Sequence, residues 1–203
     1  YRPQWQKCLY VFDEIDRLGI EFDQIALIDS TAMIKWDCPN FFDMTERKFV
    51  GWKDVDNLSW VYDSIVGYKS IFDNFDFDYS KYINSGFMIF NEEHREFFGK
   101  LKELFNEKHD NFIRLQDTDV RKGNDQTPIN YLLQIMGIDV KLDIPFSFNL
   151  THMHRKDMLG QLNEDATPLF IKHSYVWRFT GIPKNQRTNL MKQTWELVKG
   201  NYK

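Results

Sequence analysis

Apolar residues recur with two different periods along the chain, and their alternation predicts an α/β protein. Trp5, Cys8, Leu9 and Phe12 are spaced as on one face of a helix, which predicts an amphipathic helix over 4–18 that ends at Gly19. The same periodicity predicts helices over 58–72, 92–107, 124–137 and 190–198. Strands are predicted over 24–28, 82–91 and 138–142, and 49–57 is predicted to be a strand with its following loop. The apolar run 169–173, which ends at His173, is interpreted as a further strand.

The predicted strand at 24–28 runs directly into Asp29, Ser30 and Thr31. A continuous apolar run of this kind fits a buried strand of a parallel sheet. A carboxylate at the carboxyl end of such a strand lies where open α/β sheets bind ligands. The simpler interpretation is a strand followed by an Asx or Ser/Thr turn, and the seven residues 25–31 by themselves favour it.

Two further stretches carry polar residues at positions where a regular strand or helix does not require them. The predicted strand 82–91 is interrupted by Asn84, Ser85 and Gly86, and a glycine in a strand marks either a bulge or the close approach of a ligand. Asp125 and Gln126 open the helix over 124–137, where helix capping is the alternative role. The polar segment 109–123 just before them shows no periodicity, which predicts an irregular, mobile loop that acts as a lid.

Composition narrows the class of protein without deciding its function. The 203 residues fit a single domain over 1–203, and the net charge of −4 with mixed signs offers no basic field for nucleic acid. No apolar stretch reaches the length of a transmembrane segment. Cys8 and Cys38 lack metal-ligand spacing, so we interpret them as reduced thiols and expect a cytoplasmic protein. The acidic segment 73–79 lacks the glycine and glutamate spacing of an EF-hand.

The order of these motifs resembles the nucleotide-sugar glycosyltransferases of the GT-A fold. The similarity is greatest to the retaining group that includes glycogenin and the bacterial lipooligosaccharide galactosyltransferases. Ile25–Thr31 resembles the strand ending in Asp-x-Asp, and Tyr82–Asn91 resembles the Phe-Asn-Ala/Ser-Gly strand. Asn124–Asn130 resembles the Asp-Gln-Asp helix start, and His173 with 181–184 resembles a histidine followed by Gly-x-x-Lys-Pro.

The resemblance implies a Rossmann-like, mostly parallel sheet flanked by helices, and transfer of a sugar from a nucleotide donor, with a UDP-sugar expected, to a glycan or other hydroxyl acceptor with retention. It assigns donor contacts to Asp29, Ser30, Thr31, Asn84, Ser85, Gly86 and Lys184. It places Asp125 and Gln126 beside the reacting carbon as catalytic residues. Four aromatic residues are candidates for stacking on an acceptor sugar, and a place in the core is the alternative for most of them. They are Trp36, Phe146, Phe148 and Trp177.

The resemblance also implies a divalent ion, Mn²⁺ or Mg²⁺, held by Asp29 and His173 to neutralise the leaving diphosphate. His152 and His154 lie nearby in the sequence, and either is an alternative to His173 as the ligand. Thr31 stands where the group has its second aspartate, which weakens the expected site.

Other departures leave alternatives open. Thr127 replaces the third member of Asp-Gln-Asp, and Pro183-Lys184 reverses the usual order. The first β-α-β unit of the fold, which holds the base, is expected to be missing or reduced before residue 1. Two other functions therefore stay open: a degenerate glycosyltransferase-like domain that binds without turnover, and a metal-dependent phosphoester hydrolase.

Overall fold

A computed structural model describes residues 2–151 and 161–202, and it confirms the α/β class. The chain divides into two compact units, which are described separately below. The first unit takes the residues up to 27 and residues 45–143, and the second takes residues 28–44 and those from 144 onward. Among the described residues, no helix is long and apolar enough to cross a membrane.

The α-helices within residues 2–151 and 161–202 follow the predicted order closely. They are α1 Pro3–Leu9, α2 Val11–Leu18, α3 Leu58–Tyr68, α4 Arg95–Glu107, α5 His109–Arg114, α6 Gln126–Ile135, α7 Leu169–His173 and α8 Lys184–Val198. The predicted helix over 4–18 is two helices, because Tyr10 leaves the helical conformation between them. The second of them ends as predicted at Gly19, whose φ of 61° is left-handed.

The strands form one mixed sheet and one small antiparallel sheet. They are β1 Ile25–Ile28, β2 Ala32–Ile34, β3 Phe49–Lys53, β4 Ile83–Phe90, β5 Val140–Lys141 and β6 Val176–Arg178. The four-stranded sheet has the order β1-β4-β3-β5, in which β3 pairs antiparallel with β4 and parallel with β5. The sheet is therefore mixed, with an antiparallel pair at its centre.

The first unit is held together by an aromatic core. Trp5 is fully buried and contacts Phe105 and Phe112, with ring centroids 4.3 and 5.4 Å apart. Tyr131 of α6 stacks on Phe72 at 4.3 Å. Aromatic side chains bury large areas and contribute strongly to core stability. This packing fixes α1, α4, α5 and α6 relative to one another within the unit.

The segment 109–123 is not the irregular loop that the sequence predicts. Residues His109–Arg114 form α5, and Leu115–Asp119 form a π-helical turn. Phe112 is fully buried, and Leu115 and Gln116 are also buried. The prediction of a long, unstructured lid is wrong because two apolar anchors, Phe112 and Leu115, hold a segment whose other residues are mostly polar.

The bulge that Gly86 indicates in the sequence is present in β4. Trp52 of β3 pairs with Asn84, whereas its neighbour Gly51 pairs with Met88, so the intervening residues 85–87 have no partner on β3. A bulge of this kind re-aims side chains and backbone groups away from the ladder. Trp52 fills the space against Phe87, with ring centroids 4.3 Å apart.

The bulge requires a glycine at position 51. A Cβ atom built on Gly51 would lie 2.5 Å from Cδ1 and 2.8 Å from Cγ2 of Ile83, which is fully buried. We therefore expect Gly51→Ala to lower the free energy of unfolding by about 1–3 kcal/mol, as overpacked cores do. Urea unfolding followed by circular dichroism measures this change.

Gly99→Ala is the matched control for that substitution. Gly99 lies on the exposed face of α4, and a Cβ built there meets nothing within 4 Å. The control is expected to raise stability by up to about 1 kcal/mol, the helix-propensity difference between the two residues. Equal effects of the two alanines would contradict the packing argument at Gly51.

The second unit has its own small core around a two-stranded sheet. β2 and β6 pair antiparallel, with Ala32 opposite Arg178, Met33 opposite Trp177 and Ile34 opposite Val176. The buried side chains of this core are Leu150, Phe170, Ile171, Trp177, Phe179 and Val198. The apolar run that ends at His173 is helix α7 and not the strand that the metal-site prediction assumed.

Candidate functional site

A cluster of polar side chains is buried in the first unit where α6 begins. Asp125 is 5% exposed and Gln126 is 8% exposed. The Ser85 hydroxyl donates to Oδ2 of Asp125 at 3.1 Å, and the backbone N–H of Ser85 donates to Oε1 of Gln126 at 3.2 Å. The structure therefore brings together residues that the sequence predicts from two separate motifs.

Asp125 does not serve as a helix cap. It occupies the N-cap position of α6, but its side chain makes no capping hydrogen bond. The carboxylate instead accepts a hydrogen bond from Ser85. The alternative that the sequence leaves open for Asp125, a purely structural capping role, does not account for this orientation.

A second carboxylate, Asp54, completes the cluster. It follows directly after β3, and its Oδ2 accepts from Nε2 of Gln126 at 2.8 Å and from Nδ2 of Asn84 at 3.2 Å. Oδ1 of Asn84 accepts from the backbone N–H of Gly86 at 3.0 Å. Asn84 and Asp54 are only partly buried and form the more exposed side of the cluster. The sequence analysis missed Asp54, although an acid placed directly after a strand is the signal that drew attention to Asp29.

The cluster also contains a cation, Lys7 of α1. Its Nζ donates to the backbone carbonyl of Ser85 at 3.0 Å and lies 3.6 Å from Oδ2 of Asp125. The side chain is 19% exposed, so this ion pair is partly shielded from solvent. Lys7 lies opposite the apolar stripe of α1, where a lysine is ordinarily solvated, so periodicity gave no signal for it.

Buried hydrogen bonds hold the start of α6 against β4. The Asn130 side chain accepts from the N–H of Ile83 at 2.7 Å and donates to its carbonyl and to the Gln126 carbonyl, both at 2.8 Å. The Tyr82 hydroxyl lies 2.8 Å from the Thr127 hydroxyl. Burial raises the pKa of Tyr82, so this phenol stays protonated. The cluster is therefore anchored by groups that do not titrate near neutral pH.

The chemistry available in this cluster suits hydroxyl-rich ligands. It combines two carboxylates, two carboxamides, one hydroxyl and one ammonium group. Carboxylates accept hydrogen bonds from sugar hydroxyls, and amides both donate and accept them. Gly86 carries no side chain, so this position adds no steric bulk to the bulged segment.

Asp29, Ser30 and Thr31 form a tight turn in the second unit. The Ala32 N–H donates to the Asp29 carbonyl at 3.0 Å, and the Phe179 N–H donates to the Thr31 carbonyl at 2.8 Å. Oδ2 of Asp29 accepts from Nη2 of Arg178 at 3.2 Å. The stretch is a strand followed by a turn, as the simpler interpretation predicts, and the hydrogen bond of the turn is accepted by the backbone carbonyl of Asp29. The Arg178 contact is one that the sequence analysis missed.

The other members of the predicted metal and phosphate site lie on helix ends. His173 is the last residue of α7 and is exposed, and Lys184 is the first residue of α8 and is also exposed. Among the described residues, no group of three or more His, Cys, Asp or Glu side chains could hold a metal ion. His152 and His154, the alternative ligands, lie outside the described residues.

The four aromatic residues considered for acceptor stacking fall into two groups. Trp177 is fully buried in the core of the second unit, and Phe148 is 4% exposed and packs against Phe41 and Tyr175. Trp36 is 36% exposed and Phe146 is 63% exposed. Only this second pair presents an aromatic surface to solvent. Cys8 and Cys38 do not form a disulfide bond with one another.

Comparison with known proteins adds no assignment to this geometry. The chain matches no protein-family model, no curated protein and no solved structure.

Proposed function

We propose that the chain is a glycosyltransferase of the GT-A type that moves a sugar from a nucleotide-sugar donor to a hydroxyl acceptor, with retention at the anomeric carbon. The observation that carries the proposal is the buried cluster of Asp125, Gln126, Ser85 and Lys7. Three of these residues come from the two motifs that resemble the sugar-binding motifs of that group, and the fold gathers them within hydrogen-bonding distance.

Each member of the cluster has a role that follows from its chemistry. Asp125 accepts hydrogen bonds from donor-sugar hydroxyls, and Lys7, whose Nζ lies 3.6 Å from Oδ2 of Asp125, orients that carboxylate. Gln126 presents an amide oxygen near the anomeric carbon, where positive charge develops in an oxocarbenium-like transition state. Asn84 and Asp54 add hydroxyl contacts at the more exposed side of the cluster.

The proposal predicts measurable turnover of a sugar nucleotide. We expect slow release of free nucleotide when the protein is incubated with one member of a panel of UDP-sugars and GDP-sugars, because water is itself a hydroxyl acceptor when no other is added. Liquid chromatography of the nucleotide products measures this release. Lys7→Met should lower it, since the cluster then loses its only cation among the described residues.

Lys108→Met is the control for Lys7→Met, because Lys108 lies at the exposed end of α4, outside the cluster. The absence of nucleotide release from every donor, by a folded protein, would contradict the enzymatic proposal.

One observation favours a second candidate, a glycan-binding domain of the same fold without turnover. The Gln126 amide is held at both ends, by the Ser85 N–H and by Asp54, so transfer requires one of these bonds to exchange for a ligand. Glycan binding without nucleotide release, measured by calorimetry with oligosaccharides, would support this candidate over the enzyme.

A further inference from the structure

Asp29 already has a cationic partner inside the protein. Oδ2 of its carboxylate lies 3.2 Å from Nη2 of Arg178, and Nη1 of Arg178 donates to Oδ1 of Asn149 at 2.9 Å. Arg178 is 1% exposed, whereas the Asp29 side chain is 30% exposed. The guanidinium therefore lies beneath the carboxylate, which keeps one side open to solvent.

The backbone fixes this pair in place. Arg178 is the last residue of β6 and pairs with Ala32 of β2, three positions after Asp29. The next residue, Phe179, donates its N–H to the Thr31 carbonyl. The antiparallel ladder and the turn therefore hold the two charged residues on adjacent chains within the second unit.

This arrangement does not fit the divalent ion that the resemblance implies. An arginine side chain stays charged at any physiological pH, so Arg178 neutralises the carboxylate and repels a second cation. Thr31, in the place of a second carboxylate, offers no further negative charge. His173 ends a helix on the surface and not a strand of the sheet. Hard divalent cations depend on anionic oxygen ligands, and here the anionic ligand is already paired.

We propose that Asp29 and Arg178 form an ion pair in place of a metal site, so that any nucleotide diphosphate that the chain binds is bound without a divalent ion at Asp29. This inference rests on the proposed function for the identity of the ligand, but not for the absence of a metal requirement. A lone carboxylate beside a diphosphate repels it, and the buried guanidinium removes that repulsion. Arg178 acts here as a positioning residue, and Asp29 offers its exposed side as an acceptor for ligand hydroxyls.

Titration of Mn²⁺ alone tests the metal part of the inference. Electron paramagnetic resonance measures the concentration of free Mn²⁺. With the wild-type protein and Mn²⁺ at millimolar concentration, the free Mn²⁺ should equal the total added, since no ion is bound. The double variant Arg178→Met with Thr31→Asp should gain a site, since the turn then carries two carboxylates, at positions 29 and 31, without the guanidinium. Stoichiometric Mn²⁺ binding by the wild type that Asp29→Asn abolishes would overturn the inference.

A neutral pair provides the control for folding. Replacement of Arg178 alone leaves Asp29 without this partner, and replacement of Asp29 alone leaves the charge of Arg178 buried without this carboxylate. We therefore expect each single variant to be less stable than the wild type. Asp29→Asn combined with Arg178→Met removes both charges together. This variant should fold and bind no Mn²⁺, and a Mn²⁺ site on it would also overturn the inference.

Calorimetry with UDP and GDP separates this inference from the proposed function. We expect either UDP or GDP to bind the wild type, with a Kd that differs less than about twofold between a buffer with Mn²⁺ and a buffer with EDTA. A tenfold difference would correspond to about 1.4 kcal/mol of coupling between nucleotide and metal binding. Nucleotide binding lost in EDTA would overturn the inference and leave the proposed function standing. Binding of neither nucleotide in any condition would count against the proposed function, while the Mn²⁺ titration still decides the inference.

Discussion

Asp125→Asn and Gln126→Ala are each expected to lower kcat by about 100-fold, the effect of removing one group that stabilises charge in a transition state. Asn keeps the size of Asp125 and one acceptor oxygen for the Ser85 hydroxyl, but it loses the charge that faces Lys7 at 3.6 Å. Ala removes the Gln126 amide from its place against the Ser85 N–H. Because these interactions act mainly in the transition state, KM should change much less than kcat.

Steady-state kinetics with a donor that the wild type turns over measures both constants. Gln134→Ala is the control for the two variants, since Gln134 lies on the same helix but two turns away from Gln126, where its amide bonds the backbone of Asp78. If both site variants kept the wild-type kcat while remaining folded, Asp125 and Gln126 would have no catalytic role.

Asn130→Ala is expected to cause the largest loss of stability among the polar substitutions proposed for this protein. Asn130 is 1% exposed and bonds both the N–H and the carbonyl of Ile83, which is also fully buried. Alanine leaves both backbone groups without this partner in a site that water does not reach. A buried polar group left unsatisfied costs about 1–3 kcal/mol, so the free energy of unfolding should fall by about 2–4 kcal/mol.

Gln134→Ala isolates the effect of burial. Gln134 makes the same pair of bonds as Asn130, accepting from the N–H of Asp78 at 2.9 Å and donating to its carbonyl at 3.0 Å. Asp78 is exposed, so water replaces the lost bonds and the change should stay within about 1 kcal/mol. Urea unfolding of both variants gives the comparison, and equal losses would show that burial is not what makes Asn130 important.

The order of helices and strands was predictable because periodicity reports burial directly. β1, β3, β4 and β5 lie within or close to their predicted ranges, and Gly86 correctly marked a bulge. Two errors share one cause. The segment 109–123 looks irregular and 169–173 looks like a strand, yet residues 109–119 and 169–173 are helical. In each, apolar side chains pack against residues distant in the sequence, as Phe112 does against Trp5 and Phe170 within the core that includes Leu150 and Val198. Such contacts leave no periodic signal in a short window.

The sequence predicted only those residues of the candidate site that lie within short sequence motifs. Ser85, Asp125 and Gln126 are gathered as the two motifs suggest. Lys7 and Arg178 were not predicted, because each reaches the site across a long separation in the sequence, 78 residues for Lys7 to Ser85 and 149 for Arg178 to Asp29. A cation that meets a carboxylate through tertiary folding is not distinguishable in sequence from a solvated one.

The bulge in β4 places residues of the candidate site outside the hydrogen-bonded ladder of the sheet. Both backbone polar groups of Ser85 bond to side chains, of Lys7 and of Gln126, while the register of β3 against β4 resumes on either side of the bulge. Phe87 is fully buried against Trp52 and belongs to the core, so the residues of the bulge that can change while the ladder stays paired are Ser85 and Gly86. Ligand preference can therefore diverge at two positions without the loss of a hydrogen bond between the strands.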